Sequence, residues 1–229
     1  IYGGFVQAGI GFLVIGALSL VNHFDLVRIN YIKVFVAIVY TVVSVVVFAL
    51  EDKIVQQAVV TILNQIYEED FRGFSYGFRP RRRQHQALDG LYVAITRKKV
   101  NWILDCDIRG FFDNLSHDWL LRFVQHRVAD RRILRLIQKW LKAGVLEEDE
   151  WKDTEIGTPQ GSVISPQLEN VYLHYVFDLW VDVWRRKCAR GDVIVVRYAD
   201  DNVLGFQHLA DADRFLEELR ERLAKFGLE

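Results

Sequence analysis

The chain has 229 residues, with 29 basic and 30 acidic side chains and a formal net charge of −1. At 51% hydrophobic and 26% charged it is neither disordered nor collagenous, and two cysteines cannot form a disulfide scaffold. Near-zero net charge argues against a complete, strongly basic nucleic-acid binder, and a chain without methionine that begins at Ile1 reads as a fragment or a frame lacking its own start.

Composition shifts near Leu50 and Glu51. Residues 1–50 hold one acid, Asp25, and two bases, Arg28 and Lys33; all six Trp and all three Pro come later. Residues 1–21 carry no charge, and neither do residues 34–50. As helices these runs would reach roughly 32 and 26 Å, near the ~30 Å hydrocarbon thickness, so two transmembrane helices are expected. Gly3, Gly4, Gly9, Gly11 and Gly16 would let a neighbouring helix approach the first. The alternative is a pair of buried core elements, the Val-rich second run even a strand. Ile1-Tyr-Gly-Gly-Phe-Val-Gln-Ala-Gly-Ile-Gly-Phe12, with Phe24-Asp-Leu-Val-Arg28 and Lys33-Val-Phe35, resembles the TauE/SafE sulfite-exporter permeases. Two helices cannot enclose a transport path, so transport by this piece is not expected. Arg28 and Lys33 favour a cytoplasmic loop between the spans, whereas Lys53 and the later arginines pull the other way, leaving orientation open.

From Glu51 the pattern becomes amphipathic. Ile54, Val55, Ala58, Val59, Ile62, Leu63 and Ile66 have helical spacing, with Lys53, Gln56 and Gln57 facing out. Phe71-Arg-Gly-Phe-Ser-Tyr-Gly-Phe-Arg-Pro80 reads as an aromatic-glycine loop. Arg79, Arg81, Arg82 and Arg83, interleaved with Phe74, Tyr76 and Phe78, suit a phosphate backbone beside stacked bases; the bland alternative is a solvated basic loop. A helix is predicted over residues 84–96.

Residues 100–108 predict a strand with Trp102, Leu104, Cys106 and Ile108 on one face and Ile103, Asp105 and Asp107 on the other. Carboxylates at i and i+2 repel unless a cation or solvent separates them. Helices are predicted from His117 through Arg127 and over residues 130–142. A turn-rich loop, residues 155–166, opens a helix over residues 167–186. Residues 192–206 predict a hairpin with Asp200 and Asp201 at its tip, and a last helix spans 210–226. An Asp-Asp pair alone is ordinary turn chemistry. A carboxylate at a strand end joined by two on a hairpin tip is the donor set of a two-Mg²⁺ site, with ions ~3.5–4 Å apart.

Tyr198-Ala-Asp-Asp201, Asp107-Ile-Arg-Gly-Phe-Phe-Asp113 and Gly157-Thr-Pro-Gln-Gly-Ser-Val-Ile-Ser-Pro166 resemble three core motifs of reverse transcriptases. Phe74-Ser-Tyr-Gly-Phe-Arg-Pro80, with His85, Ala87 and Leu88, and Leu168-Glu-Asn-Val-Tyr-Leu173 narrow the resemblance to group II intron-encoded reverse transcriptase/maturases, over about residues 49–229. The resemblance implies an α/β (α+β) palm with partial fingers over 51–229, behind the membrane-permease-like piece at 1–50. It implies RNA-directed DNA polymerase activity, with an RNA template, a DNA primer, deoxynucleoside triphosphates and intron RNA as partners. The polymerase part would be cytoplasmic, with membrane association possible through residues 1–50.

Carried over by motif, Asp107, Asp200 and Asp201 are the catalytic and metal-binding carboxylates, and Ile108 offers a backbone carbonyl to the metal. Phe112 matches the bulky residue that excludes a ribose 2′-OH. Either it or Phe111 should instead pack in the core. Gln160 lines the incoming-nucleotide pocket. Asp105 stands behind the metal ligands, and Asp113, Asn114 and His117 serve capping and local hydrogen bonds. The resemblance stops at residue 229, before the family's primer grip, thumb and maturase domain, and permease-like sequence replaces its first finger motifs. Impaired synthesis is therefore expected; an inactive chimeric remnant that keeps some intron-RNA binding, or an anion-exporter fragment, are the alternatives.

Overall fold

The computed structural model describes residues 26–142, 145–147, 150–152, 156–158 and 162–229. It divides into two compact units, Ile1–Val55 and Gln56–Glu229. The first apolar run, its glycines and most of the permease-like residues lie outside the described residues.

Helix α1, Leu26–Tyr67, carries the second apolar run and the amphipathic stretch as one element. The compositional boundary near residue 50 thus falls within this helix, a few residues before the division between the two units. Among the described residues no helix is long and apolar enough to cross a membrane, so the expected spanning helices find no support. A Val-rich run has no periodicity that separates a membrane span from the start of a longer helix.

The phase of α1 also differs from the sequence expectation. Among the described residues of α1, Gln56, Val59, Val60, Leu63 and Tyr67 are buried, whereas Ile54 and Ile62 are 67% and 46% exposed. Gln56 turns inward because its Oε1 accepts from Ser162 Oγ at 2.9 Å and from the Val163 amide at 3.0 Å. A buried amide with polar partners can occupy a position that an apolar count assigns to solvent.

Helix α2, Gln84–Arg97, starts at Arg83, whose amide donates to Gln86 Oε1. Strands β1, Trp102–Cys106, β4, Val193–Tyr198, and β5, Asp201–Phe206, form an antiparallel sheet in the order β1-β5-β4. Trp102 opposes Phe206 and Cys106 opposes Asn202; Val193 opposes Phe206 and Tyr198 opposes Asp201. The hairpin is as expected. A parallel bridge between Ser75 and Arg197 lays the aromatic-glycine loop along the free side of β4.

Short helix α3, Phe111–Asn114, leads into α4, His117–Gln125, and α5, Arg131–Leu141. The small hairpin of β2, Val145–Glu147, and β3, Glu150–Lys152, was not foreseen. The long predicted helix is α6, Ser165–Leu173, a π-helical turn, His174–Asp178, and α7, Leu179–Lys187. Helix α8, Leu209–Ala224, closes the order. Phe123 of α4 stacks on Tyr175 at 4.9 Å and meets Tyr172 edge-on at 5.4 Å. Trp184, Phe206 and Phe215 form a second aromatic contact under the sheet. Leu120, Ile137, Leu168, Val171 and Leu204 fill the core between these rings.

Candidate active site

The β1–β5 register brings the two acidic segments together. Cys106 and Asn202 are the last opposed pair, so Asp107 and Asp201 continue the two strands side by side at one end of the sheet. Asp200 belongs to the tight turn before β5, where Ala199 takes φ 58°. The Asn202 side-chain amide donates back to Asp200 O. Partial desolvation raises the Asp201 pKa above the usual aspartate range, and the charges of Asp200, Asp107 and Asp105 push it the same way. Side chains distant in sequence thus share one field. Asp107 and Asp105 are exposed, and Asp200 is half-buried.

No three His, Cys, Asp or Glu side chains among the described residues are gathered tightly enough to hold a metal ion by themselves. The donor chemistry nonetheless fits Mg²⁺. The oxygens are hard, they repel one another, and none of the ion pairs found among the described residues joins Asp107, Asp200 or Asp201 to a base. Mg²⁺ usually takes one or two protein carboxylates together with water and substrate phosphates, so a ready-made cage is not required.

A further acid was not anticipated. Glu169 of α6 is fully buried, and neither carboxyl oxygen has a hydrogen-bond partner. Burial pushes its pKa up to about 8; Asp200 and Asp201 add to the rise, and Arg197 opposes it. Its sequence signal was a polar Glu-Asn pair inside an apolar helical pattern.

The two phenylalanines separate clearly. Phe111 is 1% exposed and packs edge-on against Tyr172, so it is the core residue. Phe112 remains half-buried, and its carbonyl accepts from the Thr158 amide at 2.8 Å. The Gly157 amide donates to Leu115 O at 2.8 Å. Gly157 has φ 90°, and a Cβ there would come within 3.0 Å of Phe112 O. The backbone pairing therefore needs glycine. His117 is buried, and its Nε2 bonds Gly157 O, so this histidine pins the loop rather than capping a helix. Asn114 makes the expected local bonds, to Arg109 O and Gly110 O. Gln160 lies outside the described residues. The side chain of Ile108 is buried, leaving only its backbone carbonyl for the role expected of it.

Arg79 takes a different part from the one expected. It is buried, forms a forked pair with Glu68 at 3.1 and 2.7 Å, and donates to the carbonyls of Arg72 and Ser75. An arginine among aromatic residues reads equally well as a loop clamp. Arg81 and Arg83 are exposed, and Arg82 lies over the Tyr76 ring at 5.1 Å.

Residues 43–229 match the reverse transcriptase (RNA-dependent DNA polymerase) family. Group II intron-encoded protein LtrA of Lactococcus lactis subsp. cremoris is 43% identical over 125 residues, 54% of this chain and 20% of that protein. An uncharacterized 91 kDa protein in the cob intron of Schizosaccharomyces pombe is 42% identical over 123 residues, 54% of this chain and 15% of that protein. Protein YkfC of Escherichia coli is 33% identical over 186 residues, 68% of this chain and 48% of that protein. The aligned stretch is thus a fifth or less of the first two relatives. Among solved structures, apo telomerase from Candida Tropicalis superposes with a TM-score of 0.58 at 10% identity, over 77% of this chain and 35% of that one. Candida albicans telomerase, in complex with a TWJ fragment of telomeric RNA, gives 0.52 at 14% identity, over 76% and 32%. These two likenesses concern the fold alone. Nothing in the comparisons supports the permease-like reading of residues 1–50, and the family match begins inside the second apolar run.

Proposed function

The chain belongs to the reverse transcriptase (RNA-dependent DNA polymerase) family, and we propose that residues 51–229 are the palm and partial fingers of a group II intron-type enzyme. It would copy an RNA template into DNA from a primer with deoxynucleoside triphosphates, in a cytoplasmic setting, with intron RNA as a further partner. The observation that carries this reading is the common field of Asp107, Asp200 and Asp201, set by the β1–β5 register.

In the reaction the primer 3′-oxygen bonds the α-phosphorus of the nucleotide, the bond to the pyrophosphate leaving group breaks, and the hydroxyl proton leaves to solvent. Asp107, Asp200 and Asp201, with the Ile108 carbonyl, would hold two Mg²⁺. When bound, these ions make the hydroxyl more acidic and balance charge on the phosphate oxygens. The protein's own part is positioning. The rigid sheet end fixes the carboxylates, and the Phe112 ring limits the space for a ribose 2′-OH. The Gly157 and Thr158 amides are tied to Leu115 O and Phe112 O, and Gln160 is assigned to the incoming-nucleotide pocket by its motif. Arg81, Arg82 and Arg83 supply charge for nucleic-acid phosphates.

The test is primer extension by the full chain on an RNA template with Mg²⁺. Weak extension by the parent that disappears in Asp107→Asn and Asp200→Asn is the expected result. Extension that survives both substitutions would refute the assignment.

A further inference from the structure

Arg197 precedes the Asp200 turn on β4 and is 0% exposed. A buried guanidinium must find partners for its donors or it destabilises the fold. Its Nε and Nη2 donate to the two carboxyl oxygens of Asp178, each at 2.7 Å. Its Nη1 donates to Asn170 Oδ1 at 3.1 Å and to Ala199 O at 2.9 Å. Asp178 is supplied by the π-helical turn and Asn170 by α6. A π-turn shifts the following side chains around the helix, and here its last residue meets the arginine. One guanidinium thus joins the helical layer to the turn that bears the catalytic pair.

The same turn is braced from the loop side. The Arg197 amide donates to Phe74 O, and Arg197 O accepts from the Tyr76 amide, both at 2.8 Å. Asn170 Nδ2 donates to Gly77 O at 2.7 Å. A Cβ on Gly77 would lie 2.2 Å from Ala199 N, so the loop backbone rests directly on the turn. Ala199 is held in a left-handed conformation that a non-glycine residue adopts only under such constraint.

We propose that Arg197 and Asp178 act as a positioning pair: they hold the Ala199 carbonyl, and so the turn, in the one conformation that presents Asp200 and Asp201 to a divalent cation. The proposal rests on the metal-dependent polymerase reading. A pair serving only the core would be replaceable by apolar side chains of like volume, often without loss of stability. The bond from Nη1 to Ala199 O would not be replaced.

The test compares the full chain with Arg197→Met/Asp178→Leu, which removes both charges and keeps bulk. The expected double variant melts within about 3 °C of the parent. Its amides at residues 199–201 exchange hydrogen about tenfold faster without metal, and it binds Mn²⁺ about tenfold more weakly. A folded double variant with unchanged exchange and unchanged Mn²⁺ affinity overturns the proposal. A double variant that does not fold also overturns it, because the pair would then be a requirement of the core. Asp200→Asn, run in parallel, judges the underlying reading separately. If that variant binds Mn²⁺ as the parent does, the metal assignment fails, while the exchange comparison still decides the role of Arg197.

Discussion

At the level of single residues, charge and burial sort the arginines that composition groups together. Arg79 makes four hydrogen bonds from a buried position. Arg79→Met should therefore cost about 2 kcal/mol of stability, read as a lower urea midpoint with an unchanged slope. Arg81→Gln and Arg83→Gln should leave that midpoint alone and weaken RNA binding, each reducing the salt dependence by about 0.7 of a log unit per log unit of salt. Loss of RNA affinity at constant stability in Arg79→Met would reverse this division. Phe112→Ala, in a chain that extends primers, should admit ribonucleotides, since it removes a half-buried ring and leaves the metal ligands in place. Continued rejection of ribonucleotides with DNA synthesis intact would make Phe112 a packing residue. Glu169 gives a pH signature. Burial raises its pKa from 4.5 to about 8, so between those values the folded chain holds more protons than the unfolded one. Stability contributed by the protonated acid is present at low pH and declines as pH climbs through that window. Glu169→Gln should flatten the decline in metal-free buffer, with a melting-temperature advantage over the parent that grows by about 7–15 °C from pH 5 to pH 8.5. An equal pH slope in both proteins would contradict the assignment. The metal-ligand candidates could be found from sequence because motif order singles them out. Glu169 left only the weak signal of a polar pair in an apolar helical pattern, and Arg197 and the inward Gln56 left none, because their burial depends on partners far along the chain.

Among the elements, strands and helices with clean periodicity were legible, and α2, α5, the 193–206 hairpin and α8 stand within a residue or two of expectation. Pairing of β1 with β5 brings the separated acids to one end of the sheet. What sequence hid was phase and continuity. The face of α1 that enters the core is set by Ser162 and Val163, which reach Gln56 across more than a hundred residues. The π-turn at His174–Asp178 leaves no periodic signal, and its last residue, Asp178, meets Arg197 of β4. The aromatic-glycine loop also forms a bridge to β4, between Ser75 and Arg197. Its consequence is testable at Gly77, where a Cβ would meet the Ala199 backbone. Gly77→Ala should displace the hairpin tip and cost about 1–3 kcal/mol, the usual range for overpacking. Its loss of Mn²⁺ affinity should exceed that of a comparably destabilised core variant such as Leu219→Ala, measured by titration at equal fractions folded. Equal Mn²⁺ affinity in the two variants would separate the loop from the site.

For the whole molecule, composition is most informative at the acidic site. The compositional shift near residue 50 lies within α1, close to the division between the two units, and the family match begins before it, at residue 43. The near-balanced total charge conceals a local excess, because Asp200, Asp107 and Asp105 press on Asp201 at the sheet end. That repulsion destabilises the metal-free fold, and a divalent cation that binds there should stabilise it by mass action. The two effects make Asp200→Asn respond with opposite signs under two conditions. In chelator the variant should melt slightly above the parent, by about 1–3 °C, since one like charge is gone and the carboxyl it replaces has no basic partner among the ion pairs of the described residues. With Mg²⁺ at about a hundred times its dissociation constant, the parent should gain about 2.7 kcal/mol, or roughly 5–10 °C. The variant should gain only a small part of that. A structural aspartate would behave differently, because its loss lowers the melting temperature in chelator and leaves the Mg²⁺ increment intact. Differential scanning calorimetry of parent and variant, in chelator and in Mg²⁺, reads both signs. A variant that melts below the parent in chelator, yet gains as much from Mg²⁺, would remove Asp200 from the metal-binding set.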